Sequence, residues 1–266
     1  MGWESLLKSA KTQTLTGRHG RRYSDQTIRN SLHASHLRAR KPTKKPALTA
    51  LHRRACLGWC REHRPWNLNT WRRVMFSDEA RFCLHKVDGR VRVWRRSGER
   101  FADCCIERVT AYCGGSVMVW GGISFAGKTR LVVINGTLNA QRYRDENLDP
   151  VAIPYVQNMG VDSILQDDNV RAHTARIVQE HLQYRGIQRM QWPSCSPDLN
   201  PIEHLWDLLG RAVRNRVNNA TTVQELRQIV VDEWDAIPQQ RVQRLISSMR
   251  RRCQAVTAVF GGSSHY

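Results

Sequence analysis

Three carboxylates, Asp78, Asp168 and Glu203, stand out by where they sit. Asp78 lies inside the apolar run of residues 74–84, where an unpaired carboxylate costs several kcal/mol. Asp168, second of the acidic pair Asp167-Asp168, closes a short apolar run over residues 163–166. Glu203 follows Pro201 at the start of an amphipathic stretch marked by Ile202, Leu205, Leu208, Leu209 and Val213. If the first and the central strand are neighbours, Asp78 and Asp168 converge at one edge of a sheet, and the late helix lays Glu203 beside them. Three clustered carboxylates raise one another's pKa unless cations intervene. Mg²⁺ or Mn²⁺, hard ions that prefer oxygen, resolve that conflict. Two such ions about 3.5–4 Å apart activate a water or a 3′-hydroxyl and stabilise the leaving oxygen of a phosphodiester. A salt bridge to one of the many arginines accounts for any single acid, but less well for all three.

The elements that must position these acids follow from periodicity and punctuation. Residues 74–84, 116–120 and 131–134 read as strands, with an arginine-rich stretch containing Val91-Arg-Val-Trp94 between the first two. Helix is expected over 139–158, then a buried strand at 163–166, helix at 172–185 and strand at 188–192. A proline-punctuated loop from Pro193 to Pro201 precedes the amphipathic helix of Glu203, and two more helices complete the chain. Three strands, then helix-strand-helix-strand-helix, is the element order of a ribonuclease-H-like α/β fold, a mixed sheet flanked by helices.

Before this body lies a different kind of sequence. The net charge is +19, and residues 1–70 hold 15 Lys+Arg against 3 Asp+Glu, so +12 of it is concentrated there. That asymmetry points to a nucleic-acid partner. Residues 17–22, with Arg18, Arg21 and Arg22, form a glycine-broken basic string suited to a DNA groove. Ser24 caps a short helix with Ile28 and Leu32 inward and Gln26, Arg29, Asn30 and His33 outward, a candidate recognition helix of a helix-turn-helix. Residues 38–46, with Arg38, Arg40, Lys41, Lys44, Lys45 and two prolines, read as a phosphate-contacting linker and a nuclear-import signal. Helix resumes over 49–63 with Thr49 as its cap. The organisation expected is a partial helix-turn-helix module with basic linker over 1–47 and a catalytic domain over 48–266.

No apolar run approaches the roughly 20 residues of a membrane helix and no signal peptide is evident, so a soluble nuclear protein without a membrane partner is expected. Eight cysteines at irregular spacing read as reduced thiols. His52, Cys56, Cys60 and His63 share one helical face, but structural zinc sites draw ligands from two elements, so this spacing is read as coincidence.

Phe76-Ser-Asp-Glu79, Gln166-Asp-Asp-Asn169 with His173-Thr174, and Trp192-Pro-Ser-Cys-Ser-Pro-Asp-Leu-Asn-Pro-Ile-Glu-His-Leu-Trp206 resemble the three catalytic signatures of Tc/mariner superfamily DDE transposases. Gly114-Gly-Ser-Val-Met-Val-Trp-Gly-Gly122 also matches, and the similarity runs from about Ser24 to the last residue. The family places 34 residues between the second Asp and the Glu; Asp168 satisfies this before Glu203, Asp167 does not. The resemblance implies that Asp78, Asp168 and Glu203 are catalytic and bind two Mg²⁺ or Mn²⁺ ions, with Asn169 and His173 as supporting residues and Asp167 merely flanking. It implies a cut-and-paste enzyme that hydrolyses phosphodiesters at transposon inverted repeats and joins the freed 3′-hydroxyl to target DNA at TA. It further implies a homodimer on double-stranded DNA, with residues 85–115 resembling a clamp loop that reaches the partner subunit.

Two features depart from the pattern. Relatives begin with two helix-turn-helix units, whereas the 77 residues before Asp78 accommodate only the second unit and the linker. Ala172 stands where relatives often carry proline. A shortened transposase with an intact core is therefore the expectation. The alternative is a domesticated or relic DNA-binding protein that keeps the fold without transposition. A general metal-dependent nuclease or retroviral-type integrase would carry a paired His/Cys zinc module, which this sequence does not present convincingly.

Overall fold

Residues 24–35, 48–84, 115–217 and 222–264 are described by the computed structural model. The chain divides into two compact units, residues 1–45 and 46–266. In the first, helix α1 (Asp25–Ala34) starts where expected: the Ser24 side chain accepts from the Thr27 N–H at 3.1 Å. The string 17–22, the linker 38–46 and the clamp-like loop up to residue 114 lie outside the described residues.

The second unit opens with α2 (Ala50–Glu62), capped reciprocally by Thr49 and His52, and the short α3 (Leu68–Trp71). Strands β1 (Val74–Cys83), β2 (Ser116–Ile123) and β3 (Val132–Ile134) follow. Helices α4 (Ala140–Arg142) and α5 (Ile153–Asn158) flank a π-helical segment, Tyr143–Ala152. Pro150 inside it has no N–H to donate, which is the local reason the expected 139–158 helix is not α-helical throughout.

After β4 (Ile164–Gln166), the helix expected at 172–185 is split into α6 (Arg171–Thr174) and α7 (Arg176–Tyr184) by Ala175, whose ψ of 142° is extended. Strand β5 shrinks to Gln188–Arg189. Four helices close the unit: α8 (Pro201–Val217), α9 (Val223–Asp235), α10 (Gln239–Ser247) and α11 (Met249–Ala258). No helix of the described residues is long and apolar enough to cross a membrane.

The five strands run in the order β3-β2-β1-β4-β5, antiparallel from β3 to β1 and parallel from β1 to β5. Because side chains alternate across a sheet, each strand feeds two cores. Val74 and Phe76 of β1, Val117 and Val119 of β2 and Ile164 of β4 pack with α2 and with α8 to α11. Met75, Trp120 and Leu165 face the other way, against Tyr143, Leu148, Ile153, Val178 and Leu182. The acidic residues inherit this alternation.

Candidate active site

The parallel pairing of β1 with β4 sets Phe76 opposite Gln166, so two residues further on Asp78 and Asp168 leave the sheet side by side. Asp78 shares the face of Val74 and Phe76, the face covered by α8. Pro201 is the first residue of α8, where its missing N–H is harmless, and Glu203 stands in the first turn. Asp78, Asp168 and Glu203 thereby line one cleft of about 300 Å³, whose opposite wall is Trp192 to Pro197.

One turn beyond Glu203, the Trp206 indole N–H donates to Asp78 Oδ2 at 3.2 Å. The ring reaches there because Gly121 is the β2 partner of Asp78, and a Cβ at Gly121 would stand 3.1 Å from the Trp206 ring. Trp206 stacks on Trp234 at 5.1 Å, and Trp234 donates to the Thr129 carbonyl at 2.9 Å. A single helix therefore delivers one acid and braces another.

Asp168 is held on its other side by His173, whose Nδ1 lies 2.7 Å from Asp168 Oδ1 while its Nε2 lies 3.2 Å from Glu79 Oε1. The imidazole is thereby held between two carboxylates. Burial pushes the imidazole down, but Asp168 and Glu79 outweigh it and raise His173 to about 10. Asp168 responds in the opposite sense: burial would raise it, yet His173 and the Val170 N–H at 3.0 Å hold it below the usual carboxylate range. Asn169 ties the end of β4 to the cleft wall, donating to the Trp192 carbonyl at 2.7 Å.

The remaining two acids carry the electrostatic burden of the site. Asp78 is pushed up to about 8, chiefly by burial, then by Glu203, Glu79 and Asp168. Glu203 is raised by burial, then by Asp168 and Asp198. Among the described residues no three acids, histidines or cysteines are already gathered at ligand distance, so the acids line the cleft rather than close on one point. An oxygen-only donor set with mutually raised carboxylates fits hard divalent cations.

Asp167 occupies the other face. It is buried with Leu165, its Oδ1 accepts from Arg189 Nε at 2.5 Å, and Tyr143 donates to its Oδ2 at 3.3 Å. Arg189 also donates to the Asp168 carbonyl at 3.1 Å. The simple flanking role expected of Asp167 thus becomes half of a buried ion pair beneath the site. The expected residues of the cleft are brought together; Glu79, Tyr143, Arg189 and the role of Trp206 escaped the sequence reading. The i, i+3 spacing of Glu203 and Trp206 was the one signal available for any of them.

Elsewhere, Arg29 is exposed on α1, where its neighbours Gln26 and Asn30 pair with each other at 2.8 Å. Arg18, Arg21, Arg22, Arg38, Arg40, Lys41, Lys44 and Lys45 lie outside the described residues. The His52/Cys56/Cys60/His63 face serves separate ends. His52 accepts from the Thr49 N–H, Cys56 and Cys60 are buried, and His63 stacks on Trp59 at 4.0 Å.

Residues 73–227 match the family described as DDE superfamily endonuclease, and residues 10–65 match a helix-turn-helix family described as transposase. The Tcb1 transposase of Caenorhabditis briggsae is 36% identical over 245 residues, covering 91% of this chain and 88% of that protein. The Tc1 transposase of Caenorhabditis elegans is 36% identical over 246 residues, with the same coverage. Among solved structures, the Mos1 transposase paired-end complex with left transposon end superimposes with a TM-score of 0.74 at 18% identity, over 98% of this chain and 78% of that one. The Mos1 catalytic domain with Raltegravir and Mg gives 0.60 at 19% identity, over 82% and 99%. These structures establish the ribonuclease-H-like fold.

Proposed function

This chain belongs to the Tc/mariner family of DDE transposases, and from that premise we propose that Asp78, Asp168 and Glu203 are its metal-holding catalytic residues. The observation that carries the reading is the β1–β4 register, which sends Asp78 and Asp168 into the one cleft that α8 supplies with Glu203. Solved Mos1 catalytic domains carry Mg or Mn, which supports a divalent ion here, and we assign two. When bound, such ions supply Lewis-acid activation of a water or 3′-hydroxyl and neutralise charge on the leaving oxygen.

The chain's own residues do the rest. His173 holds Asp168 ionised at neutral pH, Trp206 fixes the rotamer of Asp78, and Asn169 anchors the strand end to the cleft wall. The reaction is hydrolysis of phosphodiesters at transposon inverted repeats, followed by strand transfer into target DNA at TA. The Mos1 structures are paired-end and strand-transfer complexes, which supports two copies of this chain acting on double-stranded DNA. Work on chromosomal DNA places the protein in the nucleus, with residues 38–46 as its import signal and DNA-contacting linker.

The test is Mg²⁺-dependent cleavage of a duplex carrying the element's own end. Asp78→Asn, Asp168→Asn and Glu203→Gln should each lower cleavage by about 10³-fold or more while leaving duplex binding intact. Cleavage that survives Asp168→Asn, or that proceeds in EDTA, would remove the metal-site reading.

A further inference from the structure

Two groups of arginines in the second unit contrast in how they are paired. Arg142, Arg144, Arg185, Arg211 and Arg216, on the helices around the π-helical segment and on α7 and α8, are each within 2.6–2.8 Å of a carboxylate. Arg53, Arg54 and Arg61 of α2, Arg64 just past its cap, and Arg250 and Arg251 of α11 are exposed, and no carboxylate of the described residues pairs with them. Residues 236–266 contain five arginines and neither Asp nor Glu. A solvated face built only for solubility mixes its signs; on α2 and α11 a single acid, the exposed Glu62, stands against these arginines.

The two helices are held as a unit. They pack on each other, and Gly261, just past α11, turns with φ +75° so tightly that a Cβ would lie 1.9 Å from the Arg53 carbonyl oxygen. At roughly 100° per residue, Arg53, Arg54 and Arg61 fall within about 100° of arc, bordering the arc of the buried Cys56, Trp59 and Cys60. That buried side forms the back of the catalytic cleft. The Trp59 indole donates to the Gln191 carbonyl at 2.8 Å and packs edge-on to Trp192 at 4.9 Å, and Cys56 donates to the Ser194 carbonyl at 3.8 Å. Trp192 and Ser194 line the cleft itself. The arginines thus stand one helix thickness behind the wall of the active site.

Beside them the exposed face of α2 carries Leu51, Ala55, Gly58 and the acid Glu62. Six exposed guanidinium groups against one carboxylate fit a phosphate backbone, which a duplex of any sequence presents. We propose that the arginine face of α2 and α11 holds the backbone of the target duplex, without sequence preference, during strand transfer. The proposal rests on the strand-transfer reading above, and it separates target capture from recognition of the transposon end.

The experiment is binding of a random-sequence duplex across a salt series, using R53Q/R54Q/R61Q/R250Q/R251Q and, should that variant not fold, R53Q/R54Q and R250Q/R251Q separately. Each lost phosphate contact lowers the slope of log K against log salt by about 0.9, so the quintuple variant should lose up to about 4.5 and each pair up to about 1.8. The control R176Q/R211Q, on the compensated surface, should leave the slope unchanged. In parallel, end cleavage should match the parent, while strand transfer should require at least tenfold more target DNA. An unchanged slope, or a control that moves it equally, overturns the proposal. Equal loss of end cleavage and strand transfer also overturns it, assigning the face to the transposon end. A parent that cleaves no ends would sink the functional reading instead, and the random-duplex slope would still decide this one.

Discussion

Asp167 and Asp168 are adjacent in sequence and opposite in consequence. Asp168 opens into the cleft, with its side chain 35% exposed, against His173, and is held ionised. Asp167, 1% exposed, is pushed up by burial although Arg189 pulls it down, and serves the core below. The pleat of β4 makes this division. A one-residue slip of its register would exchange the two roles entirely. One face of the sheet edge is therefore built for chemistry and the other for holding the backbone that presents it.

This contrast can be broken from either side. Asp167→Asn neutralises the buried partner of the partly buried Arg189 guanidinium and should lower unfolding free energy by about 3 kcal/mol, while Asp168→Asn should change it by less than about 1 kcal/mol. Urea denaturation in EDTA measures both, and equal losses would erase the division. Next in size is Gly121→Ala, whose Cβ would meet Leu131 at 3.0 Å and Trp206 at 3.1 Å. Overpacking there should cost about 1–3 kcal/mol and displace the ring that braces Asp78, so cleavage should fall with stability.

Trp206→Phe keeps the ring against Trp234 but deletes the donor to Asp78. A stability change of about 1 kcal/mol with a roughly tenfold loss of cleavage, reported as a rise in the Mg²⁺ needed for half-maximal rate, is expected. Loss of stability alone would make the indole structural only. A further test is a pH dependence. His173 is raised from 6.5 to about 10, so its stabilising contribution is fully present below pH 6.5 and disappears as pH rises through 10. The stability gap between the parent and His173→Gln in EDTA should narrow over that window; a constant gap would detach His173 from Asp168 and Glu79.

Much of this was legible in the chain itself. Ser24 and Thr49 announced their helices by cap chemistry, and the order of strands and helices along the chain pointed to the fold class. The spacing to Glu203 singled out Asp168, yet nothing in β4 revealed why, because Ile164, Leu165 and Gln166 are all buried and show no alternation. The break at Ala175 and the π-helical turn arise from packing rather than from any local breaker, Pro150 excepted. Arg189 was invisible as a partner of Asp167 because parallel strands bring together residues 22 apart only after the sheet forms. The arginine face depends in the same way on α2 meeting α11 across most of the chain.

The most direct test is a calorimetric titration of Mn²⁺ into the parent, Asp167→Asn and Asp168→Asn proteins, without DNA. The parent and folded Asp167→Asn should bind alike, and Asp168→Asn should bind at least tenfold more weakly. Parent-like binding by Asp168→Asn, or loss of binding in a folded Asp167→Asn, would contradict the assignment of the site.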